Sequence, residues 1–263
     1  MPKTGFQPQA HGFAFANSWT LDETESDQIR KALASAINGA LMTVSPALFA
    51  PLVVLGVGRS LGNAIASGLP QMYGLCGGMA YAALDYYKMG LPLPKGTGPS
   101  DQPTRKTPKG ATLRSYLWRR LMDSLTIGRA AAHTLAYMGA LHLMPKRWPF
   151  RGGDSWLLTL TKVHWRHLKR HIDAGEPWPI GLVGTTKDPF TNHQVLACGY
   201  DERGDGRGTI YLYDMNCPGA EQTIRLDFRG ETLVAEESCP GGRGPLRGFF
   251  CESYSPSQPP SLV

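Results

Sequence analysis

Residues 193–216 read HQVLACGYDERGDGRGTIYLYDMN, and this stretch predicts two antiparallel strands joined by a turn. Its two ends are rich in apolar, β-branched and aromatic residues, whereas its middle is rich in glycine, aspartate and arginine. If the turn centres near Gly204, His193 lies opposite Asp214 to Asn216 at the open end of the hairpin. Because Asp214 and Asn216 are two positions apart, they face the same side of their strand.

Other stretches outside this hairpin also predict strands, because they are short, apolar and bounded by turn residues. They are GFAFANSW (12–19), WPIGLVG (178–184), QTIRLDF (222–228) and RGFFCESY (247–254). Helices are predicted in the first half of the chain, where apolar residues recur every three to four positions or alanine is frequent. They comprise a helix opened by LDETESD (21–27) and the stretches 75–90, 113–125 and 155–175.

The order of these elements predicts an α+β fold. At 263 residues the chain suits one large domain, and hydrophobic content of 42% excludes disorder over most of its length. We expect a single domain over residues 1–255, with a helical part at about 20–175 and a β part at about 177–253. Residues 256–263 are predicted to form a frayed tail.

Cys76 stands at the predicted start of a helix and is followed by Gly77 and Gly78. A helix N-terminus stabilises a thiolate and lowers the pKa of a cysteine there. Its free backbone N–H groups can also bind the oxyanion of a tetrahedral intermediate. Glycines at these positions would let a substrate carbonyl approach the backbone closely. The pattern predicts Cys76 as a nucleophile, with a buried structural cysteine as the alternative.

His193 supplies the second group that a thiol nucleophile requires, a base held by a neighbouring acid or amide. The hairpin places Asp214 and Asn216 where either could orient the imidazole. A surface histidine beside a turn aspartate is the alternative interpretation.

Four segments resemble papain-like cysteine peptidases in their order and local context, and especially the peptidase domains of bacteriocin-processing transporters and related bacterial proteins. They are GLCGGMAYAALDYY (74–87), GEPWPIGLV (175–183), NHQVLACGYD (192–201) and IYLYDMN (210–216). The resemblance implies a helical lobe that carries the nucleophile at a helix N-terminus and packs on an antiparallel β-sheet lobe. It also implies a peptide or protein substrate, no cofactor, Cys76 as nucleophile, His193 as general base and acid, and Asp214 as the orienting residue.

The same resemblance implies a candidate residue for the oxyanion hole. Those families place a glutamine six residues before the cysteine, where this chain has Pro70, and Gln71 follows at five residues before. Gln71 is therefore the candidate, and Tyr73 or the Cys76 amide could replace it. Asn216 is the second candidate for the orienting role, because papain itself uses an amide there.

Two other functions remain open for these residues. The first is acyl or amide transfer of the transglutaminase type, which the same three residues could perform and which trapping with an amine would reveal. The second is a papain-like fold kept as a binding module, although binding alone needs neither a cysteine nor a histidine and aspartate beside it.

Metal binding is not expected from the cysteines, since none of the five forms a CxxC pair. Apart from Cys76, the other four could pair in an oxidising compartment, and reduced buried thiols are the preferred expectation. Histidines 164, 167 and 171 have helical spacing, but apolar and basic neighbours crowd them, so no metal site is predicted.

Charge and hydropathy suggest where partners could bind. Residues 88–171 contain 16 lysines and arginines against three aspartates, which permits an anionic partner, although no nucleic-acid motif accompanies the charge.

Residues 32–58 carry no charge, yet Pro46 and Pro51 interrupt them, so we expect a segment packed beneath the Cys76 helix and not an integral membrane span. The first residues lack a secretory signal, which favours a cytoplasmic protein, or export without such a signal.

Overall fold

The computed structural model describes residues 1–44, 72–126, 133, 137, 153–186, 191–240 and 245–262. Its helices are α1 (Pro8–His11), α2 (Glu23–Val44), α3 (Cys76–Lys88), α4 (Pro108–Thr126) and α5 (Gly153–Asp173). Its strands are β1 (Trp19–Thr20), β2 (Met72–Tyr73), β3 (Trp178–Gly184), β4 (His193–Arg203), β5 (Arg207–Tyr213), β6 (Gln222–Asp227), β7 (Val234–Glu237) and β8 (Leu246–Cys251).

The last six strands form a closed antiparallel barrel, in which consecutive strands pair and β8 returns to pair with β3. Five of these strands coincide with stretches that the sequence predicts, and β7 is a further strand of only four residues. The predicted strand over residues 12–19 is wrong except at Trp19, because Phe13 and Phe15 pack into the core without pairing. The helices and the antiparallel sheet together confirm the α+β class.

Both faces of β4 are covered, which explains why its sequence is apolar almost throughout. Val195 and Ala197 belong to the core of the barrel, whereas Leu196 and Cys198 pack with the residues around α3. Helix α3 is itself buried from Cys76 to Tyr86, and it contacts α4 on one side and β4 on another. Cys76, the nucleophile candidate, is therefore the first residue of a buried helix that packs against both α4 and β4.

The C-terminal residues are attached to α3, in contrast to the frayed tail expected from their composition. The Ser257 N–H donates to Asp85 Oδ1 at 2.9 Å, and the Tyr86 hydroxyl donates to the Pro260 carbonyl at 2.6 Å. Leu262 packs against the core around α3. Composition alone suggests fraying because it does not reveal these buried partners on a helix far away in sequence.

Cys217 and Cys239 form a disulfide that joins the loop after β5 to the segment after β7. This differs from the preferred expectation of reduced thiols for these two residues. Cys76, Cys198 and Cys251 are buried and carry no disulfide. The bond therefore fixes the loop that begins with Asp214, one element of the candidate site.

Most of the uncharged segment over residues 32–58, including its two prolines, lies outside the described residues. Helix α2 carries the start of that segment and contacts α4. Among the helices that the structure describes, none combines the length and the apolar character needed to cross a membrane.

Candidate active site

The hairpin of β4 and β5 brings His193 and Asp214 to the same end of the barrel. Leu196 pairs with Tyr213, so Asp214, directly after β5, lies beside the first residues of β4. The turn at the far end closes through Gly206, whose φ of 84° favours glycine. Register and turn thus place the histidine and the aspartate together, as the position of the predicted turn implies.

His193 Nε2 lies 2.8 Å from Asp214 Oδ1, and the two side chains are only 2% and 4% exposed. Burial lowers the pKa of His193, but the charge of Asp214 and its hydrogen bond raise it, and a Cys76 thiolate raises it further, so that the pKa is about 9. This arrangement favours the protonated imidazole. Because Asp214 occupies Nε2, Nδ1 is the ring nitrogen available to Cys76, and it is buried and makes no hydrogen bond among the described residues.

Asn216 supports this pair from the same loop. Its backbone N–H donates to Asp214 Oδ1 at 2.8 Å, and its side-chain amide lies 3.2 Å from His193 Nε2. Asn17 Nδ2 donates to Asn216 Oδ1 at 2.9 Å, and Asn17 also packs against Gly74 in the loop before Cys76. Asp214 thus makes the shorter contact with the imidazole, and Asn216 holds Asp214.

Helix α3 begins at Cys76, and Leu75 at its N-cap makes no side-chain hydrogen bond to the helix. The first-turn N–H groups of a helix have no partner within the helix itself. They are therefore candidate donors to an oxyanion. Gln71, the candidate from the sequence, lies outside the described residues.

Gly77 and Gly78 have a packing role, and the approach of a substrate to them stays a prediction. Both are buried. A Cβ atom on Gly77 would overlap the side chains of Gln194 and Ser124, and one on Gly78 would overlap the Leu117 carbonyl of α4. The two glycines therefore let the start of α3 lie directly against β4 and α4.

A buried polar network behind Cys76 was not predicted. Gln194 Nε2 donates to Glu252 Oε1 at 2.6 Å, and the Ser124 hydroxyl lies 3.2 Å from Gln194 Oε1. Burial raises the pKa of Glu252 to about 8, although the Gln194 amide and the nearby Tyr81 hydroxyl lower it. Two signals were present in the sequence: Gln194 interrupts an apolar strand directly after His193, and Glu252 directly follows the apolar residues of β8.

Two histidines of α5 and one cysteine of β8 form the one group among the described residues with three potential metal-ligand atoms close together. These atoms, on His164, His167 and Cys251, lie within 4.8 Å of one another. Protein partners already engage this region: the Cys251 N–H donates to His164 Nδ1 at 3.2 Å, and His171 contacts Glu176 and His167 at 3.0 and 3.2 Å. We assign no metal role to the group.

Several arginines of the basic section 88–171 have partners inside the protein. Arg105 lies 2.8 Å from Asp22 and 2.6 Å from Glu25, and Arg114 lies 2.8 Å from Glu25. These guanidinium groups are therefore engaged, whereas Lys106 is exposed. An anionic partner for this section stays a prediction.

No protein-family model, no curated protein and no solved structure matches this chain. The resemblance to papain-like peptidases thus depends on four segments of the sequence alone. The structural basis for a function is the set of contacts among Cys76, His193 and Asp214.

Cys76 should be the most reactive thiol of the folded protein. It combines a helix N-terminus with a protonated imidazole, and both stabilise a thiolate. Burial raises the pKa of Cys198 and of Cys251 to about 12. At pH 7 we expect iodoacetamide to alkylate Cys76 at least about 100-fold faster than either, as measured by peptide mapping over time. Faster alkylation of Cys198 or Cys251 would refute the assignment.

Proposed function

We propose that the protein is a papain-like cysteine hydrolase that cleaves amide or peptide bonds through an acyl-enzyme on Cys76. The observation that carries the proposal is the buried contact of 2.8 Å between Asp214 and His193, with Cys76 beside that imidazole at the N-terminus of α3. In this arrangement the helices α2, α3 and α4 correspond to the helical lobe and the barrel to the β lobe.

The proposed reaction begins when the Cys76 thiolate attacks the carbonyl carbon of the substrate. The first-turn N–H groups of α3 bind the oxyanion that develops on the carbonyl oxygen. His193 then donates its proton to the leaving amine as the carbon–nitrogen bond breaks. In the second half, the neutral His193 takes a proton from water as the water oxygen attacks the thioester carbon. The carbon–sulfur bond then breaks, the carboxylic acid product leaves, and the Cys76 thiolate and the protonated His193 are restored. Asp214 keeps the imidazole oriented and stabilises its charge.

Acyl transfer to an amine is the second candidate. An amine that binds beside Cys76 would compete with water for the thioester. The chemistry up to the acyl-enzyme is the same for both candidates.

Incubation with a mixture of peptides, with and without hydroxylamine, tests the proposal and separates the two candidates. Mass spectrometry would identify new amino termini, free carboxylates and hydroxamates. We expect cleaved peptides with free carboxylates, absent with the Cys76→Ser variant. Products only when an amine is added would favour transfer, and no product from any peptide or glutamine side chain would contradict the acyl-enzyme.

Asp214→Ala should reduce kcat/KM by roughly 10³-fold, and Asn216→Ala by only about tenfold. The reason is that Asp214 both orients the imidazole and stabilises its charge, whereas Asn216 acts mainly by holding Asp214. Steady-state kinetics on the same peptide would measure both losses. A larger loss for Asn216→Ala would transfer the orienting role to the amide.

A further inference from the structure

Glu252 is a buried carboxyl that the proposed reaction does not use. Its backbone is held to β3 at both ends: the N–H donates to the Pro179 carbonyl at 3.0 Å, and the carbonyl accepts from Trp178 Nε1 at 2.9 Å. The residue is 2% exposed. Its carboxyl lies close enough to Tyr81 and Cys76 of α3 to interact with both. The side chain is therefore fixed beside the helix that carries the proposed nucleophile.

One hydrogen bond links Glu252 to the first turn of α3. Gln194 Nε2 donates to Glu252 Oε1 at 2.6 Å, and the other end of the Gln194 amide packs directly against Gly77. Gln194 also follows His193 in β4. The carboxyl thus orients an amide that touches the residue after Cys76 and belongs to the same strand as His193.

The surroundings of the second carboxyl oxygen favour the protonated acid. Glu252 Oε2 is buried and accepts no hydrogen bond from any described residue. The nearby Tyr81 hydroxyl donates to the Ser253 carbonyl at 2.9 Å. A carboxylate would therefore leave Oε2 buried with a negative charge that no described hydrogen bond or cation compensates, whereas the protonated acid carries no such charge.

No lysine, arginine or histidine of the described chain forms an ion pair with this carboxyl. The titratable and charged groups nearest to it, or acting on its neighbours, come from the helices and from its own strand. They are Cys76 and Tyr81 on α3, Arg120 and Asp123 on α4, Arg170 on α5, and Cys251 on β8. Ionisation of Glu252 would therefore place an uncompensated negative charge near the Cys76 sulfur.

We propose, on the premise of the function above, that Glu252 is a positioning residue that acts as a neutral acid. In its protonated form it holds Gln194 against the first turn of α3 and leaves the negative charge at this site to Cys76. In its ionised form it opposes the thiolate. Burial raises the pKa of Glu252 to about 8, and the pKa of His193 is about 9. Glu252 therefore loses its proton at a lower pH than His193 does.

Carboxymethylation of Cys76 by iodoacetate, measured by peptide mapping across the pH range, tests this role directly. The anionic reagent responds to charge at the site, and the reaction forms the thioether and releases iodide. In the wild-type protein the rate should fall as the pH rises through about 8. Glu252→Gln keeps an acceptor for Gln194 but cannot ionise. In this variant the decrease in rate should occur about one pH unit higher, near the pKa of about 9 of His193.

Glu231→Gln is the matched control, because it makes the same chemical change at an exposed position and should leave the profile of the wild type in place. Identical profiles for Glu252→Gln and the wild type would overturn the inference. A wild-type Cys76 that reacts no faster than Cys198 at pH 7 would instead overturn the proposed function, and this inference with it.

Stability provides a second measurement that needs no reactive thiol. Because the pKa of Glu252 is about 8 in the folded protein and about 4.3 in an unfolded chain, protonation favours folding at low pH. The stabilisation from the protonated Glu252 is complete below the pKa that Glu252 has in the unfolded chain. It is lost as the pH rises to about 8. The Tm of Glu252→Gln relative to wild type should therefore increase from pH 5 to pH 8. Parallel Tm curves for the two proteins would contradict a neutral Glu252.

Discussion

His193→Ala should lower kcat/KM for peptide hydrolysis by about 10³-fold or more. The variant loses the group that protonates the leaving amine, and it also loses the positive charge that stabilises the Cys76 thiolate. His193 is the first residue of β4, so its removal leaves the ladder of the hairpin intact. Kinetics with one cleaved peptide, beside the far-UV circular dichroism of both proteins, would measure the effect.

His167→Ala is a matched control for this prediction. Its imidazole contacts His171 on the same helix and has no role in the proposed reaction. We expect wild-type kinetics within a factor of about two. Retention of more than a tenth of the activity by a folded His193→Ala protein would show that another group serves as the base.

Asp85→Ala should lower the free energy of unfolding by about 3–5 kcal/mol. Asp85 is fully buried in α3 and lies 2.7 Å from Arg120 Nε. The Tyr116 and Tyr254 hydroxyls also donate to it, each at 2.7 Å. Its removal leaves the buried Arg120 with Asp123 as its remaining ionic partner, at 2.7 Å. Urea unfolding followed by circular dichroism would measure the loss.

Tyr254→Phe removes one donor from the same carboxylate and keeps its charge. The expected loss of unfolding free energy is about 1 kcal/mol, so the ratio of the two effects separates the ion pair from a single hydrogen bond. Equal losses for Asp85→Ala and Tyr254→Phe would contradict the central role of Asp85 in holding α3, α4 and the C-terminal residues together.

The part of the site that could be predicted from the sequence is the part that one hairpin encodes. His193 and Asp214 are 21 residues apart, and the glycine-rich turn between the two strands determines their register. The start of α3 at Cys76 was also predictable, because glycines precede and follow it and the alanine-rich stretch after it favours a helix. These features are local, so composition and periodicity report them.

The remaining contacts join residues that are far apart in sequence. Asn17 and Asn216 are separated by 199 residues, Gln194 and Glu252 by 58, and Asp85 and Ser257 by 172. Local pattern carries no information on which distant polar group a buried side chain meets. For the same reason the attachment of the C-terminal residues, the pairing of Cys217 with Cys239 and the packing role of Gly77 could not be predicted.

Labelling with a thiol-directed acylating probe, followed by mapping of the adduct, tests the central claim most directly. The account predicts one adduct, on Cys76, in the wild-type protein at neutral pH, and little or none in His193→Ala, because the thiolate loses its imidazolium partner. An adduct on Cys198 or Cys251, or equal labelling of Cys76 in the two proteins, would contradict the claim that Cys76 and His193 form a catalytic pair.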